Sequence, residues 1–335
     1  MFSKLYEKLK NFILNNYKNI IIFLLILIFC FGEVPYVIYA PGGIVPLEDR
    51  IIIDDENDYD GSLNMSYVTM LKGKIPLVIT SFFIKDWDLI KDEKITFENE
   101  NVDDLIKLEK LYMTSSIDNA IILAYKKSNN KIEIKKNVNN VIYIDKRAKT
   151  DIKKYDEVIS AEGEKINDIF ELKKIINNKK EGDYLHILVK RNGKEILTKS
   201  KIFKTDDDLK IGIAFLTTYD YKTTPKIEVT RKNKESGSSG GLMLSLAIYN
   251  KLVDEDITKG KKIVGTGTID INGNVGEIDG VKYKILGAKR KHADVFLCPM
   301  ENEKEALKVK KKYNIKMKVK GVKTFDEALE YLSQI

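Results

Sequence analysis

Histidine and cysteine are nearly absent from this chain: His186, His292, Cys30 and Cys298 are the only ones in 335 residues. Two distant cysteines give neither a disulfide framework nor a Cys-x-x-Cys metal site. Two scattered histidines give no metal cluster and leave a Ser-His-Asp triad short of candidates. His186 alternates with Leu185 and Ile187 in a strand-like run, and His292 stands at a helix end where a cation is favourable, so both read as structural. No glycine loop closed by Gly-Lys-Ser/Thr occurs, which argues against a phosphate-binding loop. The net charge of +7 comes from lysines spread along the whole sequence, with no basic block interleaved with aromatics. Nucleic acid is therefore not an expected partner, and no metal or cofactor is expected.

What is present is one long apolar run. Lys4, Lys8, Lys10 and Lys18 precede Ile20-Ile21-Ile22-Phe23-Leu24-Leu25-Ile26-Leu27-Ile28-Phe29-Cys30-Phe31, and apolar character resumes at Val34. Ile20 to Tyr39 is about the 20 residues needed to cross a bilayer. The reading is a cytoplasmic stretch over 1–19 and a transmembrane anchor over 20–40, with Tyr36 and Tyr39 at the outer interface and Pro41-Gly42-Gly43 ending the helix. Val37 and Ile38 before Ala40 make a poor signal-peptidase site, so the anchor is expected to stay uncleaved. The bases before the run predict a cytoplasmic N-terminus and an extracytoplasmic remainder.

Residues 44–130 read as a mixed α/β region with a strand near Leu63–Met70 and an apolar helical stripe from Leu105 to Lys127. The rhythm then changes over 131–204. A strand at Val141–Ile144 is followed by Tyr155-Asp-Glu-Val-Ile-Ser-Ala-Glu-Gly-Glu-Lys-Ile as strand, turn, strand. An amphipathic helix follows over Ile166–Asn177, then a hairpin turning at Asn192-Gly193. From Lys210 to Ile335 the pattern is α/β, with helices at Gly241–Leu252, Val281–Lys291, Glu301–Lys312 and Phe325–Ser333.

Two segments carry chemistry. Glu235-Ser236-Gly237-Ser238-Ser239-Gly240-Gly241-Leu242-Met243 crowds small residues at a helix start, where a hydroxyl is exposed and free backbone N–H groups can hold an anion or an oxyanion. A plain helix cap would look the same. The second is Gly265-Thr266-Gly267-Thr268 leading through a glycine hairpin into a helix with Lys282 and Lys284 on its first turn. A lysine becomes a general base only when burial lowers its pKa toward neutrality, and a lysine among Ile285, Leu286 and Ala288 is suitably placed. Periodicity alone does not separate the two lysines.

Together these segments resemble the proteolytic domain of Lon-type serine proteases. Gly237 to Gly241 stand where that family has glycine, proline, serine, alanine, glycine; Thr266-Gly267 match its threonine-glycine strand; Lys282-Tyr-Lys284-Ile-Leu-Gly-Ala match its lysine helix. Pro299-Met-Glu-Asn302 resembles the family's proline, x, glutamate, asparagine. The resemblance implies Ser239 as nucleophile and Lys284 as base, with Lys282 second. Gly237, Ser238, Gly240 and Thr266 are the supporting or oxyanion candidates. Ser238, Gly240 and Asp279 depart from the family pattern, and the extra glycine is expected to loosen the nucleophile turn. Residues 131–204 resemble a PDZ domain through Ile152-Lys-Lys-Tyr-Asp-Glu-Val-Ile, with Tyr155 in place of the usual glycine. That implies peptide capture by strand addition beside Asn137–Ile144.

The order of the parts is similar to membrane-anchored Lon-like proteases that carry a PDZ domain and no ATPase. The implied fold is an α/β Lon-type proteolytic domain (210–335) plus a small mixed α/β PDZ-like domain, preceded by one transmembrane helix. The implied partners are protein or peptide substrates, the membrane and a second copy of the chain. A catalytically inactive, membrane-tethered PDZ scaffold is the alternative.

Overall fold

The computed structural model describes residues 2–54, 59–91, 102–205, 208–231 and 237–335. Helix α1 covers Phe2–Phe31. Strand β1 (Glu33–Pro46), a single helical turn at Glu48–Arg50 and strand β2 (Ile51–Ile53) follow. Next come strand β3 (Ser62–Lys74), helix α2 (Ile75–Ser81), strand β4 (Asp88–Lys91) and the long helix α3 (Val102–Lys127).

The expected anchor over 20–40 is corrected at its C-terminal end. The helix begins well before Ile20 and stops at Phe31, and Glu33–Ala40 is strand, paired antiparallel to β3 with Ile38 opposite Leu71. Hydropathy counts Val34–Ala40 as apolar whichever way it folds. Pro35 and the β-branched Val34, Val37 and Ile38 favour the strand. Tyr36 and Tyr39 therefore lie in the sheet, and Tyr39 packs on Tyr283 with ring centroids 5.8 Å apart. Pro41-Gly42-Gly43 does not end a helix. A Cβ on Gly42 would stand 2.1 Å from the Tyr67 carbonyl oxygen, so this glycine marks a close approach of backbone. Among the described residues α1 is the one helix long and apolar enough to cross a membrane, a test that signal sequences also pass.

The second segment is strand β5 (Lys131–Ile144), β6 (Glu157–Ala161), β7 (Glu164–Lys165), helix α4 (Ile169–Asn177), the hairpin β8 (Tyr184–Arg191) and β9 (Lys194–Lys201), the small ribbon β10 (Phe203–Lys204) and β11 (Leu209–Lys210), and β12 (Ile213–Thr224). Asn192 and Gly193 take φ of 50° and 81°, the left-handed pair that a two-residue hairpin turn requires. Helix α4 starts three residues later than its apolar pattern. Asp168 caps it by accepting from the Glu171 amide at 2.9 Å, while Glu171 reaches back to the Asn167 amide. Ile152, Val158, Leu172, Leu185, Ile187 and Val189 form a core of their own.

The strand order here is β12-β5-β6-β8-β9, so the expected strand-addition site is also corrected. Asn137–Ile144 lies inside the sheet, with β12 along one side and β6 on the other. The sheet edges are β12 and β9.

The chain continues with β13 (Ile227–Val229), helix α5 (Gly241–Leu252), β14 (Lys262–Gly265), the ribbon β15 (Thr268–Ile269) and β16 (Val275–Gly276), and helix α6 (Val281–Arg290). Strand β17 (Val295–Pro299), helix α7 (Met300–Lys312), β18 (Lys318–Val322) and helix α8 (Phe325–Ser333) complete it. One mixed sheet runs β18-β17-β14-β3-β1-β4. Its parallel core pairs Lys262 with Ser62 and Ile263 with Val295. Residues 44–130 are therefore no separate region. They supply strands to the same sheet as residues 262–322, and Leu47, Ile51 and Leu63 share a core with Leu242, Leu246, Leu297 and Phe325. The PDZ-like segment is inserted into this unit between α3 and β13. Helix α5 is apolar all round, and Leu242 to Ile248 are all buried, as expected of a helix at the centre of a domain.

Candidate active site

The turn before α5 is fixed from behind. Gly237 has a φ of 86° and opens it. Ser116 on α3 donates to the Ser238 carbonyl at 3.1 Å, and the Gly241 amide donates to the same oxygen at 3.2 Å. The Ser239 carbonyl accepts from the Gly267 amide at 2.7 Å and from the Thr266 hydroxyl at 3.0 Å. In a trans peptide the N–H points opposite to the carbonyl it is bonded to. With the Ser238 and Ser239 carbonyls turned inward, the amides of Ser239 and Gly240 aim away from α3 and Thr266, and Ser239 is half-buried. Ser236 lies outside the described residues.

The strand that the resemblance implies at Thr266-Gly267 is broken. β14 ends at Gly265 and β15 begins at Thr268, and the two residues between them face the turn. Thr266 is fully buried. Its hydroxyl donates to the Ser239 carbonyl and accepts from Lys284 Nζ at 3.1 Å, so it is committed to the lysine and the turn.

The structure separates the two lysines of α6. Lys282 Nζ is bonded to the Asp88 carboxylate at the start of β4, and Tyr283 donates to the same carboxylate at 2.6 Å. Lys284 is only 4% exposed and, among the described residues, has no salt-bridge partner. Burial lowers its pKa to about 8, against a smaller upward pull from Asp279. Helix α6 reaches this position by packing on β1, where a Cβ at Gly287 would meet the Gly42 carbonyl oxygen at 3.1 Å.

Gly240 does not leave a gap. A Cβ there would stand 2.8 Å from Met65 Sδ, so a methionine from β3 fills the space that an alanine methyl would take. His186 is exposed and pairs with Glu162 at 3.4 Å, and His292 is exposed beyond the end of α6. Sequence reasoning missed Ser116, Asp88 and Met65. For Ser116 a signal existed: Thr114-Ser115-Ser116-Ile117-Asp118-Asn119 is a polar run that interrupts the apolar stripe of the helix just before Ala120–Tyr125.

Residues 229–334 match the Lon protease (S16) C-terminal proteolytic domain, and residues 133–202 match the PDZ domain. The chain carries a Lon-type proteolytic domain and a PDZ domain. Lon protease 2 of Borreliella burgdorferi is 27% identical over 120 residues, which is 35% of this chain and 15% of that protein. The Lon protease of Fervidobacterium nodosum is 32% identical over 96 residues, 29% of this chain and 12% of that one. The similarity thus spans a small fraction of those relatives' length and is confined to the Lon-type domain. A PDZ domain of an SdrC-like protein from Listeria monocytogenes aligns with 25% of this chain and 92% of its own length, at 19% identity and a TM-score of 0.23. A Lon-type proteolytic domain supports serine peptidase activity, and the PDZ domain supports binding of peptides or proteins.

Proposed function

We propose that the chain is an ATP-independent, membrane-anchored endopeptidase that cleaves extracytoplasmic or membrane proteins with a Ser239–Lys284 dyad. Helix α1 is the anchor, the N-terminus is cytoplasmic, and the proteolytic and PDZ domains stand outside. The observation that carries the catalytic reading is Lys284. It is buried, has no ion-pair partner among the described residues, and is bonded through Thr266 to the backbone of Ser239.

In this reading the neutral amine of Lys284 takes the proton of the Ser239 hydroxyl as its oxygen attacks the scissile carbonyl. The amides of Ser239 and Gly240 hold the developing oxyanion, within the Gly237–Gly240 turn. Lys284 returns the proton to the leaving amine, and water then releases the acyl group from Ser239 with Lys284 again as base. Peptides or protein segments pair along β12 over Ile213–Leu216, the sheet edge next to β5. From Thr217 onward that edge is held by α3, through Ser115 donating to the Thr217 carbonyl and Asp118 accepting from the Tyr219 amide.

The test uses the purified full chain and an unfolded protein substrate, with new N-termini read by mass spectrometry. Ser239→Ala is expected to abolish the cuts and leave the circular dichroism spectrum unchanged. Cuts that persist in Ser239→Ala would remove Ser239 from the mechanism. A wild-type chain that makes none would favour the peptide-binding scaffold.

A further inference from the structure

We propose that α2 and the loop after it, tipped by Phe82 and Phe83, form a second membrane contact that seats the proteolytic domain on the lipid surface beside α1. The proposal rests on reading α1 as a membrane span. Ile79, Phe82 and Phe83 are 45%, 75% and 84% exposed. A single exposed apolar side chain is ordinary, but two adjacent phenylalanines held out at the end of an apolar helix are not.

Their position identifies the partner. Only Gly32 separates α1 from the first strand of the domain, so no linker lifts the domain away from the bilayer. The Gly32 amide closes the end of α1 on the Ile28 carbonyl at 2.7 Å, and its carbonyl accepts from the Ile75 amide, the first residue of α2, at 3.1 Å. A Cβ at Gly32 would meet Ile28 O at 2.4 Å and the Ile75 side chain at 3.0 Å, so the junction between α1 and α2 leaves no room for a side chain there. The apolar tip is thus continuous with the lipid-facing surface of α1.

The length of the apolar run points the same way. Ile20–Phe31 is about 18 Å long at 1.5 Å per residue, against roughly 30 Å of hydrocarbon. Toward the N-terminus the run is interrupted by Asn15, Asn16, Lys18 and Asn19. Sinking α2 and its tip into the outer interface continues the apolar zone past the end of α1 and relieves the mismatch. Exposed Lys74 before α2 and Lys85 after it suit the phosphate layer just above.

The segment after the tip is also fastened to the domain. The loop enters β4 past Asp86, which pairs with Arg290 at 3.8 Å, and Asp88, which holds Lys282 and Tyr283. All three partners lie on α6, the helix that carries Lys284. These pairs tie the C-terminal end of the loop to α6, and its phenylalanines stand outward.

Trp87 is the chain's single tryptophan and stands in this loop, so the full chain reports on itself. The experiment reconstitutes it in phosphatidylcholine–phosphatidylglycerol vesicles containing lipids brominated near the headgroup or deep in the acyl chain. Shallow bromines are expected to quench Trp87 at least twofold more than deep ones, and the double substitution Phe82→Asp, Phe83→Asp is expected to remove most of that quenching. An alkaline wash of the vesicles tests the span separately. A chain that pellets with the vesicles while Trp87 stays unquenched overturns this proposal and keeps the anchor; a chain that is washed off overturns the span reading itself. Unquenched Trp87 together with crosslinks between Phe83→Cys chains would give the surface to a second copy, and would also overturn it.

Discussion

The ammonium of Lys284 donates to the hydroxyl of Thr266 across 3.1 Å, and both residues are buried. The same hydroxyl donates to the Ser239 carbonyl, so the protonation state of the lysine is coupled by one side chain to the position of the serine turn.

Activity should rise as pH increases through about 8, the value to which burial lowers Lys284. Below it the lysine is protonated and cannot act as a base, so at pH 7 roughly a tenth of molecules are competent. Lys284→Arg should be as inactive as Lys284→Ala, because a guanidinium keeps its proton. Asp279 pulls this pKa upward, so Asp279→Asn should move the acid limb of kcat/KM to lower pH. Lys284→Met should melt higher than wild type at pH 7, where the buried group is mostly charged. A pH profile that is flat from 7 to 9 would remove Lys284 from the role of base.

Thr266→Val removes both hydrogen bonds of this hydroxyl while keeping its shape. We expect kcat to fall about 10- to 100-fold, equivalent to about 1–3 kcal/mol, with KM little changed. Thr266→Ser should restore most of the loss. An equal loss in Thr266→Ser and Thr266→Val would mean that packing of the methyl, and not the hydroxyl, is what matters.

Adjacent glycines should respond in opposite ways. At Gly240 a new methyl meets only the flexible end of Met65, so Gly240→Ala should cost under about 1 kcal/mol. At Gly241 it meets Ser116 Oγ at 2.8 Å, Ile269 Cγ2 at 2.9 Å and the Ile269 backbone nitrogen at 3.1 Å. Gly241→Ala should therefore cost about 2 kcal/mol or more in urea unfolding. Equal costs would contradict the packing described around the turn.

Asp118 is buried, accepts from the Tyr219 amide and the Tyr221 hydroxyl, and has its pKa raised by burial to about 6. The folded state then binds the proton more tightly than the unfolded chain does. Its contribution to stability is greatest in acid and is lost as pH rises from about 4 to 6, by on the order of 2–3 kcal/mol. Asp118→Asn keeps the shape and one acceptor for the Tyr219 amide, with its NH2 able to donate to the Tyr221 hydroxyl, so it should flatten this window and raise the melting temperature at pH 7. A lower melting temperature at pH 7 would indicate that the charge itself is needed there.

Local pattern carried the reading furthest where structure is local. Helices at Gly241–Leu252 and Phe325–Ser333 follow directly from apolar spacing and caps, Thr324 accepting from the Glu327 amide in the second case. The boundary at Phe31 was not legible because an apolar strand and an apolar helix have the same hydropathy. The unity of residues 44–130 with the C-terminal part was not legible because it depends on pairings such as Lys262 with Ser62, which no window along the chain contains. The ion pair that gives Lys282 different surroundings from Lys284 is likewise made with Asp88, a partner from a distant strand.

The pairing of β3 with β14 sets an order of events during synthesis. When Ser62–Lys74 has been made, the strand that completes its parallel side, Lys262–Gly265, does not yet exist, and the whole PDZ domain must be made in between. Gly265 and Thr266 leave the end of that late strand, and Lys284 follows it. Contacts of such high sequence separation form late in folding. The dyad proposed above would therefore be assembled late: Ser239 can meet Lys284 only once the chain has been made through β14 and α6.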